Sequence, residues 1–238
     1  MLLLQSGELL EAQQACPFTI TTDPASGRGS GAAVLTGPHY DYAPTVMLDG
    51  AYRMWWCSTT GVGDSIMYST ASSLDGPWST AQAVLSPTYG ATFDGEQTCD
   101  PSVIRVNGVY YLYYSGKDIG STDVATTRVG LATSVNGVNW VRANGGQPII
   151  RPRIQPGDAG WASLPLAQKY GAGQQSVTYV NGYIYLIYTD TTGLASNPVC
   201  NGCGQYVLRS ADPTFQTRVQ ELVGSGNFQP KTVGNHTS

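Results

Sequence analysis

Cys99-Asp100-Pro101-Ser102-Val103-Ile104-Arg105-Val106-Asn107-Gly108-Val109-Tyr110-Tyr111-Leu112-Tyr113-Tyr114-Ser115 reads as two strands joined by an Asn-Gly turn, with an aspartate where the first strand begins. Asn-Gly lets both central turn residues adopt φ > 0, which matches the twist of a tight hairpin, and the Tyr-rich second run favours strand. Two imperfect copies flank it, Asp41 to Ser58 upstream and Gly173 to Thr189 downstream. Each copy turns at Asp-Gly or Asn-Gly, with the glycine at 50, 108 and 182, a spacing suited to units of roughly 40–50 residues plus insertions.

A second half recurs in each unit. Ser65 to Trp78 matches Val129 to Trp140, and more loosely Tyr206 to Phe215: a strand, a turn, and an aromatic that leads into a fourth strand. Four antiparallel strands repeated at near-constant offset describe the blade of a β-propeller, with a β-sandwich of similar hairpins as the alternative. The fold class expected is therefore all-β, with about three four-stranded blades, at 37–86, 97–152 and 171–223. An N-terminal extension (1–36) precedes them and a C-terminal tail (224–238) follows. Arg153 to Tyr170 is an insertion expected at the surface. Three blades do not close a ring, so the chain reads as part of a longer propeller or as one whose open edges would self-associate.

Composition narrows the function. Only 12% of residues are charged and the formal net charge is −4 without Lys/Arg clusters, which disfavours a nucleic-acid partner, because phosphate neutralisation needs concentrated positive charge. The opening apolar run, Met1 to Leu4, is too short for a membrane span or a secretory core, so no membrane partner and no intact signal peptide are read. The mature-looking composition suggests an extracellular or periplasmic location. No motif asks for a cofactor or a metal. Among the five cysteines, Cys57 ends the second strand of one blade and Cys99 begins the first strand of the next, which places them on one face for a disulfide. Cys200 and Cys203 suit a small disulfide-closed loop, ahead of half a zinc site or free thiols, and Cys16 is left over.

An Asp at the start of an innermost strand, a nearby Pro, an Asx-Gly turn, a Tyr/Trp-rich second strand and a Ser/Thr-Asx-Gly-x-Trp-like turn together resemble the five-bladed propeller glycoside hydrolases. These are the arabinanase, xylosidase and arabinofuranosidase group called family 43, with relatives in families 62, 32, 68 and 117. The resemblance covers about residues 37–223. It implies hydrolysis of a neutral polysaccharide or oligosaccharide, of xylan or arabinan type, by carboxylates converging on the propeller axis. A raised-pKa acid and an opposing base are what that reaction needs.

Carried over by residue, Asp41 matches the base and Asp100 the second-blade aspartate that tunes the acid. At the third-blade position, where the family places its acid glutamate, the chain has Gln174 and Gln175, and an amide delivers no proton. Two readings follow: a hydrolase whose acid lies elsewhere, or a non-catalytic glycan-binding or assembly propeller. Asp94, Glu96, Asp158 and His39 are the spare proton donors, His39 because one related family uses histidine. His39, Tyr42, Glu96, Tyr170, Gln174 and Gln175 are the expected sugar contacts, with Tyr42 and Tyr170 as stacking faces. A protein serving only subunit contacts is the third class.

Overall fold

The computed structural model describes residues 40–120, 126–192 and 204–231, and is all-β apart from three single-turn 3-10 segments. Cys16, His39, Cys200 and Cys203 lie outside the described residues. The first sheet is β1 (Asp41–Asp49), β2 (Ala51–Thr59), β3 (Asp64–Ala71) and β4 (Gln82–Leu85), antiparallel in that order. β5 (Gln97–Val106), β6 (Val109–Lys117), β7 (Thr127–Ser134) and β8 (Val141–Arg142) form the second. The third is β9 (Ala172–Val180), β10 (Tyr183–Asp190), β11 (Gly204–Ser210), β12 (Gln220–Leu222) and β13 (Phe228–Pro230). These are the blades, each meandering outward from its first strand.

Two details depart from the sequence reading. Asn107-Gly108 and Asn181-Gly182 have φ > 0 at both residues, as a two-residue hairpin turn requires, whereas the first blade pairs Asp49 with Ala51 around Gly50 alone and is one residue shorter at its turn. Residues read as a tail supply β13: Gly224 and Gly226, both at φ > 0, reverse the chain so that Phe228 pairs with Leu222.

Alternation along the blades builds two interblade cores. Trp55, Ile66, Tyr68 and Leu85 of the first blade pack against Val103, Tyr110, Leu112, Tyr114 and Ala132 of the second, with Phe93 between. Ile104, Tyr113, Val129 and Leu131 then pack against Ile184, Leu186, Tyr188 and Leu208 of the third. Each large side chain so buried stabilises the fold by about 1.5–3 kcal/mol relative to exposure. Polar latches fix the blades in register: Trp55 Nε1 donates to the Gly137 carbonyl at 2.9 Å, and Asp49 takes an Arg105 ion pair at 2.8 Å together with the Tyr110 hydroxyl. Cys57 and Cys99 form a disulfide between β2 and β5, Cα atoms 5.0 Å apart.

The insertion is more than a surface loop. It makes single 3-10 turns at Trp161–Ser163 and Leu166–Gln168, buries Trp161 and Leu164, and delivers Tyr170 to the site.

Candidate active site

The three innermost strands share one irregularity, and it positions the site. Pairing runs Tyr42 to Cys57 then Thr45 to Trp55 in the first blade, and Cys99 to Ser115 then Ser102 to Tyr113 in the second. In the third it runs Gly173 to Thr189 then Ser176 to Ile187. Each strand thus carries one extra residue in a bulge, and the first residue of each bulge, Ala43, Asp100 and Gln174, has φ near +50°. A bulge re-aims the side chain it carries, and the three bulges border one cleft. Ala43-Pro44-Thr45, Asp100-Pro101-Ser102 and Gln174-Gln175-Ser176, with Tyr42, line one open cleft of about 460 Å³.

Equivalence by bulge moves the expected base. The first-blade counterpart of Asp100 is Ala43, not Asp41. Asp41 stands two residues earlier, is exposed, and its Oδ1 accepts the Trp56 Nε1–H at 2.8 Å outside the residues that line the cleft. The shorter turn at Gly50 accounts for one residue of this offset: counting back from the turn glycine as far as Asp100 and Gln174 stand from theirs reaches Tyr42, between Asp41 and Ala43. Asp100 is accordingly the one carboxylate among the three equivalent positions, facing a methyl group and an amide.

Asp100 is partly buried. Burial pushes its carboxyl above the usual range, and the negative charge of Asp64 adds to this, while donors from Ser115, Tyr170 and the Gln174 backbone N–H hold it down. Tyr170 reaches Asp100 Oδ2 at 3.5 Å, and its own phenol is pushed up, by burial first and the Asp100 charge second. Tyr170 therefore serves Asp100 and is not among the residues lining the cleft. Gln174 is exposed into the cleft, with its N–H on Ser115 Oγ at 3.0 Å.

Gln175, expected to meet sugar, lines the cleft but is largely buried, its amide donating to the Asp100 and Tyr113 carbonyls and accepting from Ser115, which ties the second and third blades together. Glu96 also lies outside the cleft lining, paired with Lys117 at 2.7 Å. Asp94 is fully buried against Arg142 (2.6 Å) and Tyr114 (2.9 Å), and Asp158 binds the Gln155 N–H at the surface, so both carboxylates are committed to structure.

Sequence reasoning missed Ser115, Tyr40 and Asp64. Tyr40 and Tyr42 present tilted rings 5.5 Å apart, both substantially exposed beside the cleft. The Tyr40 hydroxyl donates to buried Asp64, and that hydrogen bond, with burial and the Asp64 charge, pushes its phenol up to about 12. The Tyr42 hydroxyl meets Cys99 Sγ, and burial followed by the charges of Asp64 and Asp100 pushes its phenol up as well. The repeat of Ala43-Pro44-Thr45-Val46 against Asp100-Pro101-Ser102-Val103 and Gln174-Gln175-Ser176-Val177 was the available signal for the bulge frame.

No protein-family model matches the chain. Arabinan endo-1,5-alpha-L-arabinosidase A of Aspergillus niger is 37% identical over 87 residues, a match covering 36% of this chain and 25% of that enzyme. A probable arabinan endo-1,5-alpha-L-arabinosidase A of Emericella nidulans is 42% identical over 73 residues, covering 30% and 22%. The chain thus matches about a quarter of the length of these relatives. Among solved structures, a family 117 glycoside hydrolase from the marine bacterium Zobellia galactanivorans superposes with a TM-score of 0.55 at 17% identity, covering 85% of this chain and 58% of that one. A thermostable family-43 glycoside hydrolase gives 0.50 at 16% identity, covering 86% and 61%. At such identities the structural likeness speaks for fold. Bulge geometry, blade order and these similarities together show that the chain carries three blades of the β-propeller found in family-43-like glycoside hydrolases.

Proposed function

We propose that the chain is a glycoside hydrolase-like propeller that holds a neutral arabinan- or xylan-type oligosaccharide in the cleft at Asp100 without cleaving it. One observation carries this reading: Ala43 and Gln174 occupy the two positions equivalent to Asp100. Glycoside hydrolysis takes two carboxyl groups on either side of the scissile bond, about 5–9.5 Å apart, one giving a proton and the other attacking or activating water. A methyl and a carboxamide do neither. What remains suits recognition. Thr45, Ser102, Gln174 and Ser176 offer uncharged hydrogen-bonding groups, and Tyr42 and Tyr40 offer apolar ring faces to sugar C–H bonds. The sugar class rests on the arabinanase relatives, and an extracellular or periplasmic location agrees with the disulfide.

Isothermal titration with linear arabino- and xylo-oligosaccharides should give binding by the parent protein, with no new reducing ends after prolonged incubation. Asp100→Ala should weaken that binding at least about tenfold, the loss of one charge-assisted hydrogen bond. Ala43→Asp with Gln174→Glu should introduce slow hydrolysis, since Asp tolerates the left-handed backbone at position 43 better than Ala does. Reducing ends released by the parent, and abolished by Asp100→Asn, would establish a hydrolase instead. That second reading is favoured by the raised Asp100 carboxyl, which suits a general acid.

A further inference from the structure

We infer, resting on the glycan reading of the cleft, that Tyr40 and Tyr42 form a platform for two successive sugars, so that the ligand is a linear chain of at least three units leaving Asp100 across the first blade. Tyr42 lines the cleft with Asp100, whereas Tyr40 lies beyond the lining residues. Tyr40 stands two residues before Tyr42 at the head of β1, and an extended backbone sends alternate side chains to one side. The ring centroids are 5.5 Å apart and the planes are inclined by 38°. A single sugar lying face-on to one ring is therefore tilted away from the other. Two successive units of a chain, each turned relative to its neighbour, can take one ring apiece.

Both rings are fixed before a ligand arrives. The Tyr40 hydroxyl donates to Asp64, buried at the start of β3, and the Tyr42 hydroxyl meets Cys99 Sγ in β5. The polar end of each side chain is thus engaged with the sheets, while 53% of Tyr40 and 40% of Tyr42 stay exposed. The bond to Asp64 explains the Tyr40 hydroxyl, but not why its ring lies at the surface beside a cleft. A large aromatic face left in water next to a groove suits the apolar C–H face of a sugar. Rings already pinned lose little freedom on binding, so the contact is expressed as affinity. The cleft alone offers a place for the unit at Asp100; the platform adds the next two and sets the direction of the chain.

Isothermal titration of the full chain with linear arabino- and xylo-oligosaccharides, from monosaccharide to pentasaccharide, should show affinity rising about fivefold or more between disaccharide and trisaccharide, the worth of one stacked ring. Tyr40→Ala should remove most of that step. Tyr40→Phe gives up the hydroxyl and keeps the ring, so the step should survive in it. A Tyr40 that served only Asp64 would leave the step the same in both variants. Hydroxyl-radical footprinting of the unmutated protein, read by mass spectrometry, tests the same point without relying on a variant that folds: the disaccharide should protect Tyr42 alone and the trisaccharide Tyr40 as well. A flat series from disaccharide to trisaccharide, a step that persists in Tyr40→Ala, or a Tyr40 oxidised equally with and without trisaccharide would each overturn the platform and leave the cleft reading standing. Failure of every oligosaccharide to bind would overturn both.

Discussion

At the scale of single residues, the ionisation of Asp100 is the property most open to measurement. Burial raises its carboxyl above the ordinary 3.8, so the folded chain holds this proton more tightly than the unfolded chain does. The neutral form's contribution to stability is complete below the unfolded value and is lost as pH rises through the folded one. Asp100→Asn cannot ionise, and its side-chain oxygen still accepts from Tyr170 and Ser115. Its melting temperature should therefore exceed the parent's at neutral pH by a few degrees, and the two curves should converge below about pH 4. A variant that melts below the parent at pH 7, with the gap closing toward acid, would contradict the raised carboxyl. Asp100 itself was legible because it precedes a proline at the head of an apolar run that leads to an Asn-Gly turn, although the strand begins earlier, at Gln97. Its partners were not. Tyr170 and Ser115 reach it from an insertion and from a neighbouring strand, and pairing periodicity within one hairpin carries no information about either.

Single elements are held by steric and covalent devices with separate magnitudes. The Cys57–Cys99 bridge closes a loop of sequence separation 42, which in the chain-entropy account stabilises the folded state by about 4 kcal/mol. Cys57→Ser with Cys99→Ser should lower the denaturation midpoint accordingly, and unreduced peptide mapping of the parent should recover the two cysteine peptides joined. Gly130 in β7 tests packing: a Cβ there would stand 2.5 Å from the Tyr114 ring and 2.6 Å from Phe93. Gly130→Ala should cost about 1–3 kcal/mol in urea unfolding, because both rings are locked, Tyr114 by Asp94 and Phe93 by stacking on Tyr114. An unchanged midpoint would mean that the second blade's core yields more easily than its hydrogen bonds suggest. The hairpins were readable as elements because apolar alternation and turn chemistry agree. The first-blade frame was misread because the acid nearest the strand start, Asp41, stands two residues ahead of the bulge at Ala43, and the one-residue-shorter turn shifts the register by only one of these.

Across the whole molecule, stability follows from how many neighbours each blade has. The second blade is covered on both sides: Tyr110, Leu112 and Tyr114 of β6 face the first blade, while Tyr113 of the same strand faces the third. The third blade repeats the pattern only halfway. Ile184, Leu186 and Tyr188 pack inward, but Ile187, counterpart of the fully buried Tyr113, is 43% exposed. Blade arrays of this kind draw their stability from nearest-neighbour interfaces, so a blade with two interfaces opens at a higher free energy than one whose outer face meets no blade among the described residues. Hydrogen exchange followed by mass spectrometry should therefore find β6 and β7 the slowest segments, exchanging only through global unfolding. β9, β12 and β13 should exchange through local opening and be faster by a factor of ten or more, since about 1.4 kcal/mol of local stability is tenfold in exchange. Adding an arabino-oligosaccharide should slow the bulges at Ala43, Asp100 and Gln174 selectively. Equal protection of the second and third blades would show that the outward face bearing Ile187 is covered in solution, and would redirect attention to what covers it.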